Sequence, residues 1–404
     1  MTTASTEPAP TELSPFRTVI RSRHALYLLG TSLVGRLPTA MAAIAIVQLV
    51  RLQGGDFALA GIMTAAYVVA GAIGQPALGR WADHAGQTTV LLVAGVVGTG
   101  SFVGMALLTA PAPVLAVIFA ALAGLFTPPL EPSLRSLWPT MVPGGAPLKA
   151  AFSLDAGAQE LVFIAGPLLT VLGISAFGAT GNIFFAAALG LVGTLAFAAN
   201  SLSRSHRISA HDVAGRVNPV ADARFRRVVA FLFGVGVPIG ILTITVTAYG
   251  EQEDLPSFAG WALSANAVGA LIGATWSATH PTRRAPQRLL ALCGLLLGVG
   301  YLPLAASGLP VWALIAFAVL AGLMLPFTLT QVFDYVHSTT TPGSLTEANA
   351  WAVSALNVGI AAGTTGAGAA VSAWGTGAIP AVVVAGSVPT LLLALLVLPR
   401  TMMR

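Results

Sequence analysis

Three charged residues lie well inside long apolar stretches, away from their ends, where ionisable groups are costly and therefore point to function. Arg36 lies about twelve residues into the stretch 25–50, and Glu160 lies about ten residues into the stretch 151–174, so both are roughly 15 to 18 Å from the same end. Asp155 lies nearer that end. A carboxylate beside an arginine stays ionised, and weakening that contact in a buried site raises the pKa of the carboxyl group so that it binds a proton. We therefore expect Glu160, Arg36 and Asp155 to serve proton coupling.

Two alternatives to proton coupling remain open. Arg36 and Glu160 could form a buried pair that only holds two helices together. For Asp155, a solvated position at the mouth of a pathway and a second titrating site are both compatible with its shallow depth.

Enzymatic chemistry, such as that of a membrane-embedded protease or lipid-modifying transferase, has no support in the residue types. All six histidines fall in loops or at the ends of apolar stretches, so no metal site or nucleophile with its base assembles at one depth. Cys293 is the single cysteine, which excludes a disulfide within one chain. Nothing resembles a phosphate-binding loop. We therefore expect a protein that is not an enzyme and that holds no metal or cofactor.

The elements that position these charges are membrane helices. The 404 residues are 56% hydrophobic and only 8% charged, whereas soluble domains carry about 25% charged residues. Apolar runs near the length that crosses a bilayer predict an all-α polytopic membrane protein with about twelve transmembrane helices. The predicted spans are 25–50, 57–78, 89–110, 113–134, 151–174, 180–200, 228–249, 257–279, 288–307, 311–333, 348–371 and 377–398.

One polar segment divides these spans into six and six. The predicted parts are an N-terminal tail at 1–24, a six-helix bundle at 25–200, a linker at 201–227, a second bundle at 228–398 and a C-terminal segment at 399–404. The first 16 residues of the tail are polar and rich in proline and threonine, so we expect them to be disordered.

The basic residues predict the orientation of the chain. On one side of the predicted membrane lie 17 of the 19 lysines and arginines; Arg51 falls on the other side and Arg36 within a span. The positive-inside rule therefore places both termini in the cytoplasm, and we expect a multi-pass protein of a bacterial inner (cytoplasmic) membrane. Because the positive charge is spread over loops on one side, we expect no nucleic-acid partner.

A weak internal repeat relates the two halves. Leu122-Ala123-Gly124-Leu125-x-x-Pro128 recurs as Leu320-Ala321-Gly322-Leu323-x-x-Pro326, an offset of 198 residues. Ile73-Gly74 recurs as Ile272-Gly273 at an offset of 199. Repeats in the same orientation predict two pseudo-symmetric six-helix bundles.

The segment between the second and third spans carries a recognisable motif. Gly79, Asp83 and Gly86 match the loop G-x-x-x-D-x-x-G of the major facilitator superfamily, while Gln87 and Thr88 stand where that family usually has basic residues. The chain resembles a twelve-helix member of this superfamily, of the drug:proton antiporter-like group. The two glycines are expected to allow a tight turn with close helix approach, and Asp83 to face the amides of a helix N-terminus.

The resemblance implies which residues meet. The first and fifth helices of that fold are neighbours, so we expect an Arg36–Glu160 pair. An acid near the end of the fourth helix often latches the signature loop, which predicts a contact of His84 with Glu131; Glu131 and Arg135 otherwise form a helix-surface pair at i, i+4. The expected gating residues are Gly79, Asp83, His84, Gly86, Glu131, Gly166 and Pro167.

The resembled fold also indicates the substrate path, because eight of its helices face a central cavity. Polar and aromatic residues of those helices are the expected substrate contacts: Ser32, Tyr67, Phe126, Gln159, Thr243, Asn266, Gln331, Trp351 and Asn357. Gly166-Pro167 resembles the core of an exporter motif. Together these features favour a monomeric transporter that exchanges an amphipathic small molecule, such as a drug, for protons by alternating access, with membrane lipids around it. A proton symporter for nutrient uptake and a lipid flippase remain alternatives.

Overall fold

The computed structural model describes residues 14–55, 57–205, 218–255, 258–279, 286–306 and 309–397, and in these ranges the chain is almost entirely helical. Eight of the described helices are long and apolar enough to cross a membrane, by length and composition, and a shorter apolar helix lies at 289–305. One of the eight contains two spans across a kink, as described below. The arrangement is the predicted one of twelve transmembrane helices in two six-helix bundles.

The first bundle is built from the chain up to the central polar segment. Its helices are α2 (Ala25–Leu52), α3 (Phe57–Ala85), α4 (Gln87–Leu108), α5 (Pro113–Leu125), α6 (Leu130–Met141) and α7 (Ala146–Ala199). Two short helices flank them, α1 (Pro15–Arg21) before and α8 (Ser201–Ser205) after.

The second bundle follows a short 3-10 turn at Pro219–Ala221. Its helices are α9 (Ala223–Gln252), α10 (Phe258–Thr279), α11 (Pro286–Tyr301), α12 (Val311–Thr339), α13 (Leu345–Trp374) and α14 (Ile379–Val397). We call the end of the molecule at which α2 begins the basic face, and the other end the opposite face.

The described ends of the predicted tail and linker contain short helices. α1 lies in the tail, where the Ser14 hydroxyl accepts from the Arg17 amide at 3.4 Å and Val19 is buried. The linker contains α8, and α9 begins at Ala223 rather than at residue 228. Residues 1–13 and 206–217 lie outside the described residues, so the rest of these predictions stays a prediction.

Glycines of the internal repeat serve the same purpose in both halves. A Cβ at Gly124 would overlap the backbone of Tyr67, and one at Gly322 would overlap the backbone of Asn266. The two glycines therefore let α5 cross α3, and α12 cross α10, with backbones in contact. The same helix pairs recur in both bundles, since α2 packs along α7 as α9 packs along α13. The packing supports the predicted pseudo-symmetry.

Three predicted spans differ from the helices of the structure because of local backbone geometry. The fourth is broken between α5 and α6, where Pro128 and Pro129 cannot continue the hydrogen-bond ladder. The fifth and sixth run together as α7, and only Gly178, with φ 71° and ψ 175°, separates them. A residue with a side chain would be strained at that φ.

Candidate functional site

Four charged side chains form a closed ring inside the first bundle. Arg36 of α2 contacts Glu131 at 2.9 Å and Asp155 at 3.3 Å. Arg135 contacts the same two acids, Glu131 at 2.6 Å and Asp155 at 2.7 Å. Each arginine thus bridges both carboxylates, and each carboxylate binds both arginines. The ring joins α2, α6 and the first part of α7.

The ring is withdrawn from the surface and is balanced in charge. Arg36 is 7% exposed, Arg135 1% and Asp155 0%. Two guanidinium groups face two carboxylates, so the formal charges cancel. Buried charges persist only when they are paired and hydrogen-bonded in this way. Loss of one member would leave an uncompensated charge among apolar helices.

The predicted Arg36–Glu160 pair is wrong, because Arg36 binds Glu131 and Asp155 instead. Two features of the helices explain the difference. Asp155 and Glu160 are five residues apart on α7, which places them about 140° apart around the helix axis. The break before α6 starts a new helix inside the bundle, which brings Glu131 to the depth of Arg36.

Glu160 lies in a different environment. It is half-buried, and none of the ion pairs between described residues involves it. Within electrostatic range is the hydroxyl of Tyr301, at the end of α11. That hydroxyl is buried, with the side chain of Asn266 on α10 beside it. Glu160 of the first bundle therefore lies near a polar group of the second.

Arg135 also reaches across to the second bundle. Its guanidinium carbon lies 3.5 Å from the ring centroid of Phe333 on α12. Phe152 of α7 packs on the same ring, with centroids 6.2 Å apart. A cation over the face of an aromatic ring is attracted by the ring quadrupole, and more strongly when both are buried. The charged ring is thus connected to the interface between the halves.

Further contacts close that interface near the basic face. Lys149 of α7 forms a salt bridge with Asp334 of α12 at 3.2 Å. The Ser153 hydroxyl lies 2.7 Å from that of Ser277 on α10 and 2.8 Å from that of Thr330 on α12. We refer to Lys149, Phe152, Ser153 and their partners in the second bundle as the gate. The gate holds the two halves together on this side.

The signature motif contributes a second closure. Asp83 accepts hydrogen bonds from the backbone N–H of Thr346 at 3.2 Å and of Glu347 at 2.8 Å, in the first turn of α13. A carboxylate in this position also interacts favourably with the helix dipole. Asp83 does therefore face helix N-terminal amides, as predicted, and the helix belongs to the other bundle.

The two motif glycines have separate tasks. The predicted loop is helical up to Ala85, and only Gly86, with φ 87°, makes the turn into α4. Gly79 instead permits close contact with α13, since a Cβ there would lie 3.0 Å from that of Ala350 and 3.1 Å from the Thr346 carbonyl oxygen.

The residues after the turn depart from the motif and are used differently. Gln87 is fully buried and donates to the Ser136 hydroxyl at 2.6 Å and the Ser133 carbonyl at 3.3 Å. It therefore ties the start of α4 to α6. His84 is exposed, and the salt bridges of Glu131, its predicted partner, run to Arg36 and Arg135.

The predicted exporter motif lies where α7 meets α2. A Cβ at Gly166 would lie 2.6 Å from that of Ala40, so this glycine allows the two helices to touch. Pro167 follows it inside the continuous helix.

Three predicted substrate contacts carry buried polar atoms without a described partner. These atoms are the Ser32 hydroxyl and the side-chain oxygens of Gln159 and Gln331. Ser32 lies one turn before Arg36 on α2. Buried polar atoms normally find partners, so these three atoms stand out, and the role of their residues as substrate contacts stays a prediction.

The other predicted contacts are scattered. Tyr67 lines a small apolar cavity inside the first bundle and packs on Phe102 at 6.0 Å. Asn266 donates to the Ala318 carbonyl at 2.9 Å, which uses one of its amide hydrogens to join α10 to α12. Phe126 and Trp351 pack on hydrophobic clusters. Thr243 and Asn357 are exposed. The structure therefore does not bring all nine residues to one place.

Arg135 is the member of the charged ring that the sequence analysis did not place inside the bundle. At i, i+4 from Glu131 it resembles one half of an ordinary helix-surface pair. The proline pair that precedes α6 was the signal available, because it moves the start of this helix, and with it both charges, into the bundle.

Metal-ligating side chains do not cluster in the part of the chain that the structure describes. Among these residues no group of three His, Cys, Asp or Glu side chains could hold a metal ion.

Comparison with known families decides which fold this is. The model of the Major Facilitator Superfamily matches residues 28–279. The chain belongs to the major facilitator superfamily. The match includes the motif at Gly79, Asp83 and Gly86 and all four members of the charged ring. No curated protein matches the chain in sequence.

Solved transporter structures of this superfamily type share the fold over nearly the whole chain. The human organic anion transporter MFSD10 (TETRAN) has a TM-score of 0.68 at 17% identity, with 96% of this chain and 100% of that chain covered. A bacterial homologue of the iron transporter ferroportin in an outward-facing state has a TM-score of 0.67 at 13% identity, covering 95% and 99%. The same homologue with soaked iron has a TM-score of 0.69 at 15% identity, covering 92% and 98%. At these identities the likeness concerns the fold alone. The chain is a multi-pass membrane transporter of this superfamily.

Proposed function

We propose that this transporter exchanges protons for an amphipathic small molecule by alternating access, and that it works as an exporter. The observation that carries the proposal is the neutral ring of Arg36, Glu131, Arg135 and Asp155, whose Arg135 also holds Phe333 of the other bundle. Because this ring contacts the interface between the bundles, a change in its charge would change how closely the two bundles are held together.

Glu160 is the proposed proton carrier. Protonation of a ring carboxylate would leave two guanidinium groups sharing one negative charge, which is costly in a buried site. Glu160 has no ion pair with a described residue and can change its charge without that cost. When Glu160 is ionised, its carboxylate must be hydrated by water between the two bundles. When Glu160 is protonated and neutral, it can be buried beside Tyr301 while the halves close on the opposite face.

The ring with Arg36 and Asp155 then acts as the gating element of proton coupling. While its charges are balanced, Arg135 stays oriented over Phe333 and the gate remains closed. A substrate or proton that disturbs the balance turns Arg135 away and frees Phe333. The two bundles can then part at the basic face, which is the rocking motion expected of paired repeats around a midplane site.

The orientation of the basic residues supports a cytoplasmic basic face, with both termini inside and the inner membrane of a bacterium as the location. The gate and the contact of Asp83 with α13 close this face. The conformation is then outward-facing, the state in which the ferroportin homologue was also solved. Gly79, Gly86 and His84 belong to the same proposed gating region.

The substrate class follows from the walls of the path. The first bundle contributes a neutral ring, and the predicted contacts are amides, hydroxyls and aromatic rings, which suit amphipathic molecules better than highly charged ones. Gly166-Pro167 favours export. The structural neighbours are described as transporters of organic anions and of iron, so both classes belong in a substrate screen.

The deciding experiment is a screen in proteoliposomes with an imposed pH gradient, using amphipathic drugs, organic anions and ferrous iron. We expect an amphipathic compound to move against the direction of the protons and to dissipate the gradient. Movement in the same direction as the protons would indicate a symporter. If a compound is transported at a rate that does not depend on the pH gradient, that result would contradict proton coupling.

A further inference from the structure

A cleft at the opposite face of the second bundle lies apart from the ring and the gate. It has a volume of about 550 Å³ and is formed by the ends of α9, α10, α12 and α14 with the 3-10 turn Thr376–Ala378. This volume lies within the range of sites for drug-sized molecules. The floor is apolar, because Phe258 and Leu314 are buried there.

The rim of the cleft is polar and carries one charge. Tyr249, Gln252 and Glu253 line it from the end of α9, and Glu253 and Gln252 are exposed. Among the described residues Glu253 makes no ion pair. None of the described residues that line the cleft is basic. A ligand in the cleft would therefore place its apolar body on Phe258 and Leu314 and meet a carboxylate at the entrance.

The surroundings reinforce the negative charge. Asp254 follows Glu253 directly after α9, and Arg51 is the one basic residue that the sequence places on this side of the membrane. Local fields of one sign concentrate ions of the opposite sign. The cleft thus combines an apolar floor of drug-like size with a negative entrance.

We propose that this cleft is a binding site for amphipathic organic cations at the opposite face of the transporter. Its carboxylate, Glu253, binds the cationic group, and Tyr249 can supply an aromatic face to it. The site is separate from the ring in the first bundle. Binding here requires neither a pH gradient nor a particular direction of transport, so the inference goes beyond the proposed function.

The test measures equilibrium binding of tetraphenylphosphonium to the purified full-length protein. Tetraphenylborate, which has the same shape and the opposite charge, is the matched control ligand. We expect saturable binding of the cation that is weakened about fivefold by Glu253→Gln, as for a partly exposed charge pair. Asp254→Asn is the matched control variant: it removes the neighbouring charge outside the lining, and asparagine tolerates the φ of 53° found at Asp254.

A second variant tests the cleft itself rather than its charge. Gly377 lines the cleft with nothing within 4 Å of a Cβ built on it, so Gly377→Trp would fill the space while Gly377→Ala leaves it open. We expect the tryptophan variant alone to abolish cation binding, with an unchanged thermal unfolding temperature. Three outcomes would overturn the proposal. The first is cation binding that persists in Gly377→Trp, and the second is an equal loss of binding in Asp254→Asn and Glu253→Gln. The third is binding of tetraphenylborate as tight as that of tetraphenylphosphonium. Loss in Asp155→Asn with full binding in Glu253→Gln would also overturn it, because the cation would then occupy the first bundle.

Discussion

Arg135 of the first bundle stacks on Phe333 of the second, with the guanidinium carbon 3.5 Å from the ring centroid. The same guanidinium binds Glu131 and Asp155. One side chain is therefore shared by an intramolecular charge network and by the contact between the halves. Its orientation cannot change without affecting both.

Phe333→Ala should open the gate. It removes the partner of Arg135 and the packing surface of Phe152, and a buried cation–π contact contributes about 2 kcal/mol, roughly a thirtyfold shift in a two-state equilibrium. Electron–electron distance measurements between spin labels at Ala85→Cys and Thr339→Cys, both exposed near the basic face, should show longer separations. Phe177→Ala, which breaks an aromatic pair inside the first bundle, is the control. Unchanged distances in Phe333→Ala would mean that the contact does not hold the halves together.

Asp155→Asn should destabilise the protein by about 3 to 5 kcal/mol, because it leaves two buried arginines with one carboxylate. The same change at Asp334, whose salt bridge is partly exposed, should cost at most about 1 kcal/mol. Adding Arg36→Gln to Asp155→Asn restores neutrality, so the double variant should lose less than the sum of its single changes. Chemical unfolding in detergent measures all of these variants. Simple additivity would argue against a coupled ring.

Glu160→Gln should leave the free energy of unfolding almost unchanged, because no ion pair of a described residue is lost. Transport driven by a pH gradient should be abolished, while substrate exchange without a gradient continues. Uptake into proteoliposomes under both conditions separates the two activities. Full gradient-driven transport in this variant would remove Glu160 from the coupling mechanism.

Asp83→Asn should slow transport and leave equilibrium substrate affinity within about twofold of the original. The carboxylate binds two N–H groups of α13, and its replacement removes a charge–dipole interaction of about 1 kcal/mol from the closed state. Asp222→Asn is a matched control, since Asp222 accepts from the Arg224 amide at 2.8 Å at an exposed position outside both closures. A large loss of affinity in Asp83→Asn would contradict a role confined to gating.

Gln87→Arg would restore the residue type that the superfamily motif usually has, and we expect it to be harmful here. Gln87 is fully buried and hydrogen-bonded to Ser133 and Ser136, with no acid among these partners. An unpaired buried charge should cost about 3 kcal/mol or more. Thr88→Arg at the half-buried next position should be tolerated. Thermal unfolding that ranks the two variants in the opposite order would contradict this interpretation.

The sequence was sufficient for the twelve helices, because the length and spacing of apolar runs depend on the thickness of a bilayer rather than on details of packing. It also predicted that Asp83 would face helix amides. The same reasoning placed turns less well. α3 continues to Ala85 because only Gly86 makes the turn. The sequence motif contains both Gly79 and Gly86, and it does not show which of the two glycines turns the chain.

The partners of the charged residues could not be predicted from depth. Arg36 and Glu160 are at similar distances along their helices, yet rotation about the axis of α7 turns Asp155 and not Glu160 toward Arg36. A break in the fourth span brings Glu131 and Arg135 inward, and hydropathy alone does not reveal it. Which charged side chains pair in a helix bundle depends on their angular position around the helix axis and on kinks in the helices. Both are determined by contacts between helices that are distant in sequence.

Gly178 has a mechanical consequence. It is the single non-helical residue between the two halves of α7, so this hairpin contains no spare chain. The segment that carries Asp155 and the gate residues cannot tilt without pulling on the segment that follows. Any movement during a transport cycle must accordingly move the two segments of α7 together as a rigid unit. An epitope tag inserted at Gly178 would let the two segments move independently.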